Sequence, residues 1–437
     1  MGAPFATWWN VGPGRGVPPV APRWQGGGVT TASPVTLDDV LRAREVLDDL
    51  LHLTPVEGSE AFSEIAGHPL MLKCEHLQRT GSFKVRGALV RLARLSDEER
   101  RRGVVAASAG NHAQGVAWAA RRLGIDAVVH MPADAAIPKV EATRSYGARV
   151  VLGGDRVEDA LARATAEAEA EGRTFIHPYD HVDVVAGQGT VGLEILEQVP
   201  DVGTILVPTG GGGLVAGIAA AVPAHVRVVA VQAERAAAYP ASLASGVPTT
   251  VATGRTMADG IAVARPGDVP FGVLAAHGAQ ALTVSEDDLS RAVLSLAERA
   301  KQVVEPAGAA GIAAVIAHRG ETLDGLAEPG RKVVVVLSGG NVDPIVLRKV
   351  FRHGMAAAGR YLHLRCNLSD RPGSLVGLLE AIAQVHADVV TIGHVRTGAG
   401  LGVDETAVDV EVVTKGSRHS TEVLEHVRES GYDAVVR

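Results

Sequence analysis

The sequence predicts an α/β protein whose parallel sheets are covered by helices, followed by a smaller domain with a different pattern. Of its 437 residues, 46% are hydrophobic and 21% are charged, which provides enough apolar surface for a large core and excludes overall disorder. Over residues 36–355, short β-branched runs, glycine-rich turns and helical stretches follow one another repeatedly. Beyond Gly359 this order gives way to alternating strands and amphipathic helices.

The repeat over residues 36–355 predicts two parallel-sheet α/β lobes. Near-continuous apolar runs are typical of parallel strands buried on both faces, and stretches such as 157–171 and 286–302 have helical spacing. About 320 residues are too many for one ordinary sheet layer, at roughly 150 residues per domain. In such folds ligands bind beyond the carboxyl ends of the strands. The predicted strands are residues 70–74, 104–107, 127–130, 149–152, 174–177, 204–208, 227–232 and 332–337.

Residues 360–437 predict a separate domain with a βαββαβ order, which is large enough to fold as a unit. Its predicted elements are a strand at 361–366, a turn at 370–373, a helix at 374–385, strands near 389–395 and 406–413, a helix near 421–429 and a strand near 433–436. Residues 1–34 are rich in glycine and proline and lack periodicity, which predicts a disordered extension. The alternative for this tract is an arm that contacts another subunit.

Composition excludes several classes of protein. The net charge of −7 argues against a nucleic-acid binder. The longest apolar stretch, residues 203–233, is interrupted by prolines, a histidine and an arginine, so no membrane span is expected. Two distant cysteines, Cys74 and Cys366, cannot form a disulfide framework and are typical of a reducing cytoplasm.

Lys84 is the candidate nucleophile. It follows the turn Gly81-Ser82 and begins a predicted helix, where the positive end of the helix dipole lowers the pKa of a lysine. A lysine that attacks a carbonyl must be neutral, so this placement favours covalent catalysis. The alternative is a solvated surface lysine, which the apolar neighbours Phe83 and Val85 disfavour.

A strand, four glycines and a helix follow one another at residues 204–217, with Gly210, Gly211, Gly212 and Gly213 at the junction. Bare backbone amides at a helix start can bind a phosphate, because no Cβ blocks the approach of its oxygens. The segment lacks the Lys-Ser/Thr of a P-loop and fits no GxGxxG register, so a compact phosphate ester is expected rather than a nucleotide. A flexible turn is the alternative, although no packing reason for four glycines is evident.

Two further strand ends carry polar side chains. Ser108 and Asn111 lie in a small-residue loop before a helix and provide donors for a carboxylate or a phenolate oxygen, although an asparagine N-cap is an alternative. Ser338 follows the strand near 332–337 and offers a hydroxyl to a ring nitrogen, with an ordinary turn as the alternative. The sequence therefore offers an amine, amides for a phosphate, a loop for a carboxylate or phenolate oxygen, and a hydroxyl for a ring nitrogen. Pyridoxal 5′-phosphate is a cofactor that needs all four, so it is the predicted cofactor.

Six motifs resemble, in order, those of the fold-type II pyridoxal-phosphate enzymes, specifically the threonine dehydratases (threonine ammonia-lyases). They are SFKVRGA, SAGNH, GGGGLVAG, TMADGIAV, EPAG and VVVLSGGN, and they extend over roughly residues 36–355. The resemblance implies a tryptophan synthase β-like catalytic domain at residues 35–356, in which a smaller lobe of about 100–185 is inserted into the larger one. It also implies dehydration and deamination of L-threonine to 2-oxobutanoate and ammonia, with L-serine as a side substrate, as the first step of isoleucine biosynthesis.

The resemblance also assigns roles to matching residues. Lys84 would bind the cofactor covalently, Phe83 would pack on its ring, and Asn111 would contact its 3′-oxygen. Gly210, Gly211, Gly212 and Gly213 would hold the phosphate, and Ser338 the pyridine nitrogen. The substrate carboxylate would be held by Ser108, Ala109, Gly110, Asn111 and His112.

Three other functions remain open on this scaffold. A serine or hydroxyaspartate racemase needs a proton donor on the opposite face, and Ala109 stands where the resembling racemases have a serine. Gln232 occupies the position of an acidic metal ligand in those racemases, so no metal site is predicted. A β-replacement synthase fits SFKVRGA less well. A non-catalytic amino-acid sensor would be expected to have lost Lys84.

The motif DRPGSL in the C-terminal domain resembles the ACT domains, which commonly sense amino acids. The resemblance implies an effector site for isoleucine or valine and a homodimer or homotetramer, because such domains usually pair across subunits. The alternative is a purely structural dimerisation tail. The candidate effector residues are Asp370, Arg371, Pro372, Gly373, Ser374 and Leu375.

Overall fold

The computed structural model describes residues 33–318, 325, 327–396 and 401–437. The predicted extension at residues 1–34 therefore lies outside the described residues, except for Ser33 and Pro34. The chain divides between Leu347 and Arg348 into two compact units, an N-terminal and a C-terminal one.

The N-terminal unit contains two sheets. The six-stranded sheet has the order β1-β2-β10-β7-β8-β9, in which β1 is antiparallel to β2 and every other pairing is parallel. Its strands are β1 (Val56–Gly58), β2 (Leu70–Lys73), β7 (Val202–Pro208), β8 (Arg227–Ala233), β9 (Gln280–Val284) and β10 (Lys332–Val336). The four-stranded sheet is parallel throughout and has the order β5-β4-β3-β6. Its strands are β3 (Val104–Ala107), β4 (Ala127–Met131), β5 (Arg149–Leu152) and β6 (Thr174–Phe175).

Helices alternate with these strands, as the sequence predicts. Those of the N-terminal unit are α1 (Leu37–Leu47), α2 (Glu60–Ala66), α3 (Lys84–Ala93), α4 (Asp97–Arg102), α5 (Asn111–Leu123), α6 (Ile137–Ser145), α7 (Val157–Glu171), α8 (Val182–Gln198), α9 (Gly213–Ala221), α10 (Ala238–Ser245), α11 (Asp268–His277), α12 (Glu286–Ser295) and α13 (Ala310–Ala317). Helix α14 (Pro344–Ala357) crosses the division between the units. The predicted α/β class with parallel sheets is confirmed.

Some predicted elements differ from the observed ones. The sequence analysis missed β1, which is short and mostly exposed, and β9, whose residues lack a continuous β-branched run. The helix predicted at 286–302 is α-helical only to Ser295, because a π-helical turn follows and Lys301 adopts a left-handed φ of 59°. The strand predicted at 174–177 ends at Phe175.

Close contacts between helix backbones hold the N-terminal unit together around α8. A Cβ on Gly187 would lie 2.7 Å from the Cα of Gly87, so α3 and α8 cross at these two glycines. A Cβ on Gly189 would lie 2.7 Å from the carbonyl oxygen of Gly217, which brings α9 against α8 in the same way. Both crossings exclude larger side chains. Helix α3 begins at Lys84 and α9 follows the four glycines, so α8 fixes the spacing of two predicted site segments.

The C-terminal unit has the predicted βαββαβ order. Its antiparallel sheet runs β12-β13-β11-β14, and alternate residues of β11, from Leu362 to Leu368, are buried under the helices. Its elements are β11 (Tyr361–Ser369), α15 (Ser374–Gln384), β12 (Asp388–Val395), β13 (Glu405–Val413), α16 (Ser417–Glu429) and β14 (Asp433–Val436). Across the described ranges of both units, no helix is both long and apolar enough to cross a membrane.

Candidate active site

A tight turn delivers Lys84 to the start of α3. Thr80 and Gly81 adopt left-handed φ angles of 63° and 71°, and the first is unusual for a β-branched residue. The side-chain nitrogen Nδ2 of Asn341 donates a hydrogen bond of 2.6 Å to the carbonyl oxygen of Thr80. A Cβ on Gly81 would overlap the same asparagine side chain, so glycine is required there.

Lys84 as a whole is half-buried, whereas its amine lies among protein atoms and faces a backbone carbonyl. Its Nζ donates a hydrogen bond of 2.8 Å to the oxygen of Pro178 and lies 5.3 Å from the centre of the Phe83 ring. Burial lowers the pKa of Lys84 to about 8, while the charge of Glu305 acts in the opposite direction. The sequence analysis attributed a lowered pKa of Lys84 to the helix dipole, and burial is a cause that it did not include. The amine is therefore neutral in a substantial fraction of molecules near pH 8.

Arg86 anchors α3 two residues after Lys84. Its guanidinium is almost fully buried and donates to both oxygens of Glu75, at 2.8 Å each, and to both oxygens of Glu194, at 2.6 and 3.0 Å. Lys73 completes the cluster with an ion pair of 2.5 Å to Glu194. Two positive and two negative side chains thus balance inside the fold, and they fix the first turn of α3.

The four glycines connect β7 to α9, and side chains pack against them from outside the loop. A Cβ on Gly211 would overlap the ring of Tyr179, and one on Gly213 would lie 3.1 Å from the Cβ of Tyr179. Gly212 has a φ of 101°, and a Cβ there would overlap the hydroxyl of Tyr239. The sequence analysis found no packing reason for these glycines, and that expectation is wrong. The glycines let the loop lie close to aromatic side chains.

The same loop leaves backbone amides available at the amino end of α9. Gly212 is the N-cap residue and, having no side chain, makes no side-chain cap at this helix end. The first N–H groups of a helix lack partners within the helix, so they suit an anion. Pro178, whose carbonyl holds Lys84, is followed by Tyr179, which packs on Gly211 and Gly213. One short segment therefore contacts both the amine and the glycine loop.

The loop after β3 leads directly into α5. Gly110 is the N-cap and makes no side-chain cap, so the alternative of an asparagine N-cap is wrong. Ser108 Oγ accepts a hydrogen bond of 3.1 Å from the backbone N–H of Gly110. The ring of His112 is buried and its Nε2 lies 2.8 Å from the carbonyl oxygen of Ile176. Burial lowers the pKa of His112 to about 3, so this ring is neutral and donates to that carbonyl.

The loop after β10 joins the lysine turn through its backbone. Ser338 is buried, and its carbonyl oxygen accepts a hydrogen bond of 3.2 Å from the backbone N–H of Phe83. Ser82 and Gly339 form an isolated antiparallel bridge beside it. The carboxyl end of β10 and the amino end of α3 are therefore held together at the site.

Glu305 is a site residue to which the sequence analysis gave no role, although its motif EPAG was noted. Its buried Oε1 accepts a hydrogen bond of 2.6 Å from Nδ2 of Asn111, and Nδ2 of Asn341 donates one of 2.8 Å to Oδ1 of Asn111. Burial, more than any other cause, raises the pKa of Glu305 to about 7. The resemblance of EPAG to a known family was the only sign of this residue in the sequence.

The residues present fit a phosphorylated aldehyde cofactor. A buried amine of lowered pKa suits the aldehyde, and uncapped amides of glycines suit the phosphate. The hydroxyls of Thr80 and Ser82 are buried in the lysine turn without a hydrogen-bond partner in the described structure.

Residues 47–339 match the family of the pyridoxal-phosphate dependent enzymes. The chain belongs to this family.

Known pyridoxal-phosphate dependent enzymes are similar to most of the chain, and the cofactor is pyridoxal 5′-phosphate. The L-threonine ammonia-lyase of Geobacter sulfurreducens is 44% identical over 402 residues, which are 90% of this chain and 96% of that protein. The fold is also similar to the structure of the processed form of threonine deaminase isoform 2 from Solanum lycopersicum, with a TM-score of 0.69 and 32% sequence identity. The match covers 77% of this chain and 99% of that protein. Maize serine racemase has a TM-score of 0.68 and 33% identity, and covers 72% of this chain and 96% of its own.

The candidate effector residues lie in the C-terminal unit, in the turn between β11 and α15 and in the first two residues of α15. The backbone N–H of Asp370 donates a hydrogen bond of 2.7 Å to the carbonyl oxygen of Asp404, and Gly373 has a left-handed φ of 95°. Asp370, Arg371 and Pro372 are exposed, and α15 begins at Ser374. The predicted turn is therefore present and accessible within this unit.

Proposed function

We propose that this chain is an L-threonine ammonia-lyase that converts L-threonine to 2-oxobutanoate and ammonia, with L-serine as a side substrate. The observation that carries the proposal is the buried Lys84 amine with its lowered pKa, in a pyridoxal-phosphate dependent enzyme. The 44% identity over nearly the whole length of a named L-threonine ammonia-lyase supports this substrate. The reaction would begin isoleucine biosynthesis.

We assign the binding of the cofactor to five parts of the chain. Lys84 Nζ would hold it covalently, Phe83 would pack on its ring and Asn111 would donate to its 3′-oxygen. The amides of the glycine loop, Gly210, Gly211, Gly212 and Gly213, would bind the phosphate, and the hydroxyl of Ser338 would meet the pyridine nitrogen. The bound cofactor supplies an electron sink that stabilises negative charge on the substrate α-carbon.

The protein's own groups would do the rest of the chemistry. The loop of Ser108, Ala109, Gly110, Asn111 and His112 would orient the substrate carboxylate with its backbone amides and the Ser108 hydroxyl. Once the substrate amine has taken its place on the cofactor, the freed Lys84 Nζ would take the proton from the α-carbon, because its lowered pKa leaves it partly neutral near pH 8. The hydroxyl on the β-carbon would then leave as water after accepting a proton, which the protonated Lys84 amine can return, and hydrolysis of the released enamine gives the 2-oxo acid and ammonia.

Purified protein incubated separately with L-threonine, L-serine and D-serine tests this function. We expect 2-oxo acid from L-threonine at the highest rate, less from L-serine, and none of either product in Lys84→Ala. The visible absorbance band of the bound cofactor should also change in Lys84→Ala. Formation of little 2-oxo acid from L-threonine by the intact chain would reject the proposal.

A serine racemase is the second candidate, because the fold is also similar to maize serine racemase. Racemisation requires a proton donor on the face opposite the lysine, and Ala109 has no proton to give where the resembling racemases carry a serine. Chiral analysis of the serine samples separates the two functions. Fast interconversion of L- and D-serine with little 2-oxo acid would favour the racemase.

We also infer that the C-terminal unit is ACT-like and binds isoleucine or valine at Asp370, Arg371, Pro372, Gly373, Ser374 and Leu375. Its βαββαβ order and the exposed turn before α15 support this inference. The chain would form a homodimer or homotetramer, which sedimentation measures. Calorimetric titration with each amino acid tests the site, and the absence of binding heat with both would leave a structural role.

A further inference from the structure

Glu305 is buried beside the proposed cofactor site, yet the mechanism above uses none of its atoms. It lies between the π-helical turn and α13, and its backbone N–H donates a hydrogen bond of 3.1 Å to the carbonyl oxygen of Gly339. A Cβ on Gly339 would overlap Oε1 of Glu305 and would lie 2.9 Å from Nδ2 of Asn111. The carboxyl is therefore enclosed between the loop of Ser338 and the side chain of Asn111.

The available donors and acceptors determine which way the side-chain amides of Asn341 and Asn111 are turned. An amide nitrogen carries two hydrogens, and Nδ2 of Asn341 uses one for the carbonyl of Thr80 and the other for Oδ1 of Asn111. Asn111 must therefore turn its oxygen toward Asn341 and its nitrogen toward Glu305. One hydrogen of that nitrogen goes to Oε1 of Glu305, and the second remains for another acceptor.

The charges around Glu305 come from three other segments. Lys84 at the start of α3, Lys139 on α6 and Asp259 all act on the carboxyl, the two lysines favouring its charged form and Asp259 opposing it. Lys139 Nζ pairs with Asp259 at 3.4 Å, which partly neutralises both. Above its pKa of about 7, the Glu305 carboxyl is mostly ionised; it then accepts hydrogen bonds and donates none, so it selects the nitrogen of a facing amide over its oxygen.

We propose that Glu305 is a positioning residue, which holds the Asn111 amide so that its nitrogen, rather than its oxygen, faces the 3′-oxygen of the cofactor. An anionic ring oxygen attracts an N–H donor and repels an amide oxygen, so the wrong orientation would weaken the contact. Glu305 and Asn341 hold opposite ends of the same amide, and both contacts together keep this orientation. This inference rests on the proposed contact between Asn111 and the cofactor.

A double-mutant cycle on the holoenzyme tests the proposal. Glu305→Gln keeps the shape of the side chain but can offer an amide N–H to Asn111, which permits the flipped orientation. We expect the visible band of the cofactor to shift and kcat to fall about tenfold, with KM changed less than threefold. Asn111→Ala should show the same shift, and Glu305→Gln in that background should lower kcat by less than a further twofold.

Glu167→Gln is the matched control, because Glu167 is a partly buried carboxylate on α7 that is paired with His130 and Arg149. It should leave the band and kcat within twofold of wild type. If Glu305→Gln does not retain the cofactor, Asn341→Ala releases the other end of the amide and should give the same band shift. Unchanged spectra, or effects of the two substitutions that multiply, would overturn the proposal.

The readouts also separate this inference from the proposed function. The band of the bound cofactor requires no turnover, so its shift in Glu305→Gln is measurable even if L-threonine is not the substrate. An intact enzyme that deaminates L-threonine while Glu305→Gln behaves as wild type would reject the positioning role alone.

Discussion

The buried ion cluster on α3 predicts that Arg86→Met will destabilise the N-terminal unit strongly. Arg86 makes four hydrogen bonds of 2.6–3.0 Å to two carboxylates and a fifth of 3.1 Å to Thr190. The substitution leaves Glu75 and Glu194 facing Lys73 alone, with one uncompensated buried charge. Breaking a buried pair in this way costs about 3–5 kcal/mol.

Urea unfolding followed by circular dichroism, at a fixed concentration of the cofactor, measures this loss in the free energy of unfolding. If unfolding is irreversible, we expect the melting temperature to fall by several degrees, because the shift is about 2–4 °C per kcal/mol in domains of about 150–250 residues and smaller in a larger unit. Adding Glu75→Gln to Arg86→Met should recover at least about 1 kcal/mol, because it removes the unpaired carboxylate.

Arg365→Met provides the control, since Arg365 also makes a double hydrogen bond to a carboxylate, Asp409, in the C-terminal unit. That pair is accessible to water, so its loss should destabilise the C-terminal unit far less than the loss of Arg86 destabilises the N-terminal unit. Equal losses in the two variants, or a loss below about 1 kcal/mol for Arg86→Met, would refute the argument from burial.

Three further predictions concern the cofactor site and the thiols. Gly211→Ala places a methyl group against the Tyr179 ring. Because such overpacking costs about 1–3 kcal/mol, it should weaken cofactor binding about 10- to 100-fold. A fluorescence titration measures the affinity for the cofactor, and an unchanged affinity contradicts the prediction. Lys84 is protonated below its pKa of about 8 and neutral above it, so the rate at which the apoprotein captures pyridoxal 5′-phosphate should rise from pH 7 to pH 9; stopped-flow absorbance checks this, and a flat profile argues against it. Burial raises the pKa of Cys74 to about 12 and that of Cys366 to about 11. Both thiols should therefore resist iodoacetamide at pH 8 until urea unfolds the chain. Rapid labelling of the folded protein would contradict this prediction.

Much of the fold could be predicted because its strands are nearly continuous apolar runs. Strand β3 and helix α7 have the predicted bounds, and the βαββαβ order of the C-terminal unit also agrees. Strand β9 could not be recognised from its own residues, because its pairing with β8 makes it a strand. The π-helical turn before Lys301 likewise leaves no periodic sign in the sequence.

The candidate site could be predicted from the sequence where one short segment carries the chemistry, as at Lys84 and the four glycines. The physical cause of the lowered Lys84 pKa could not be predicted in the same way. Burial of the Lys84 amine depends on the packing of α3 against the rest of the unit, which no local pattern encodes. Glu305 and Asn111 are 194 positions apart, and only the fold makes them neighbours. The packing of Tyr179 on Gly211 also requires the three-dimensional arrangement.

The place of β10 in the six-stranded sheet has a consequence for biosynthesis of the protein. This late strand lies between β2 and β7, so the interior of the sheet stays open until residue 336 has left the ribosome. Such non-local pairing is slow to form and exposes strand edges meanwhile. Nascent chains that stop before β10 would therefore present two unpaired edges to chaperones and proteases, and capture of the vitamin B6 derivative must wait for nearly the whole N-terminal unit.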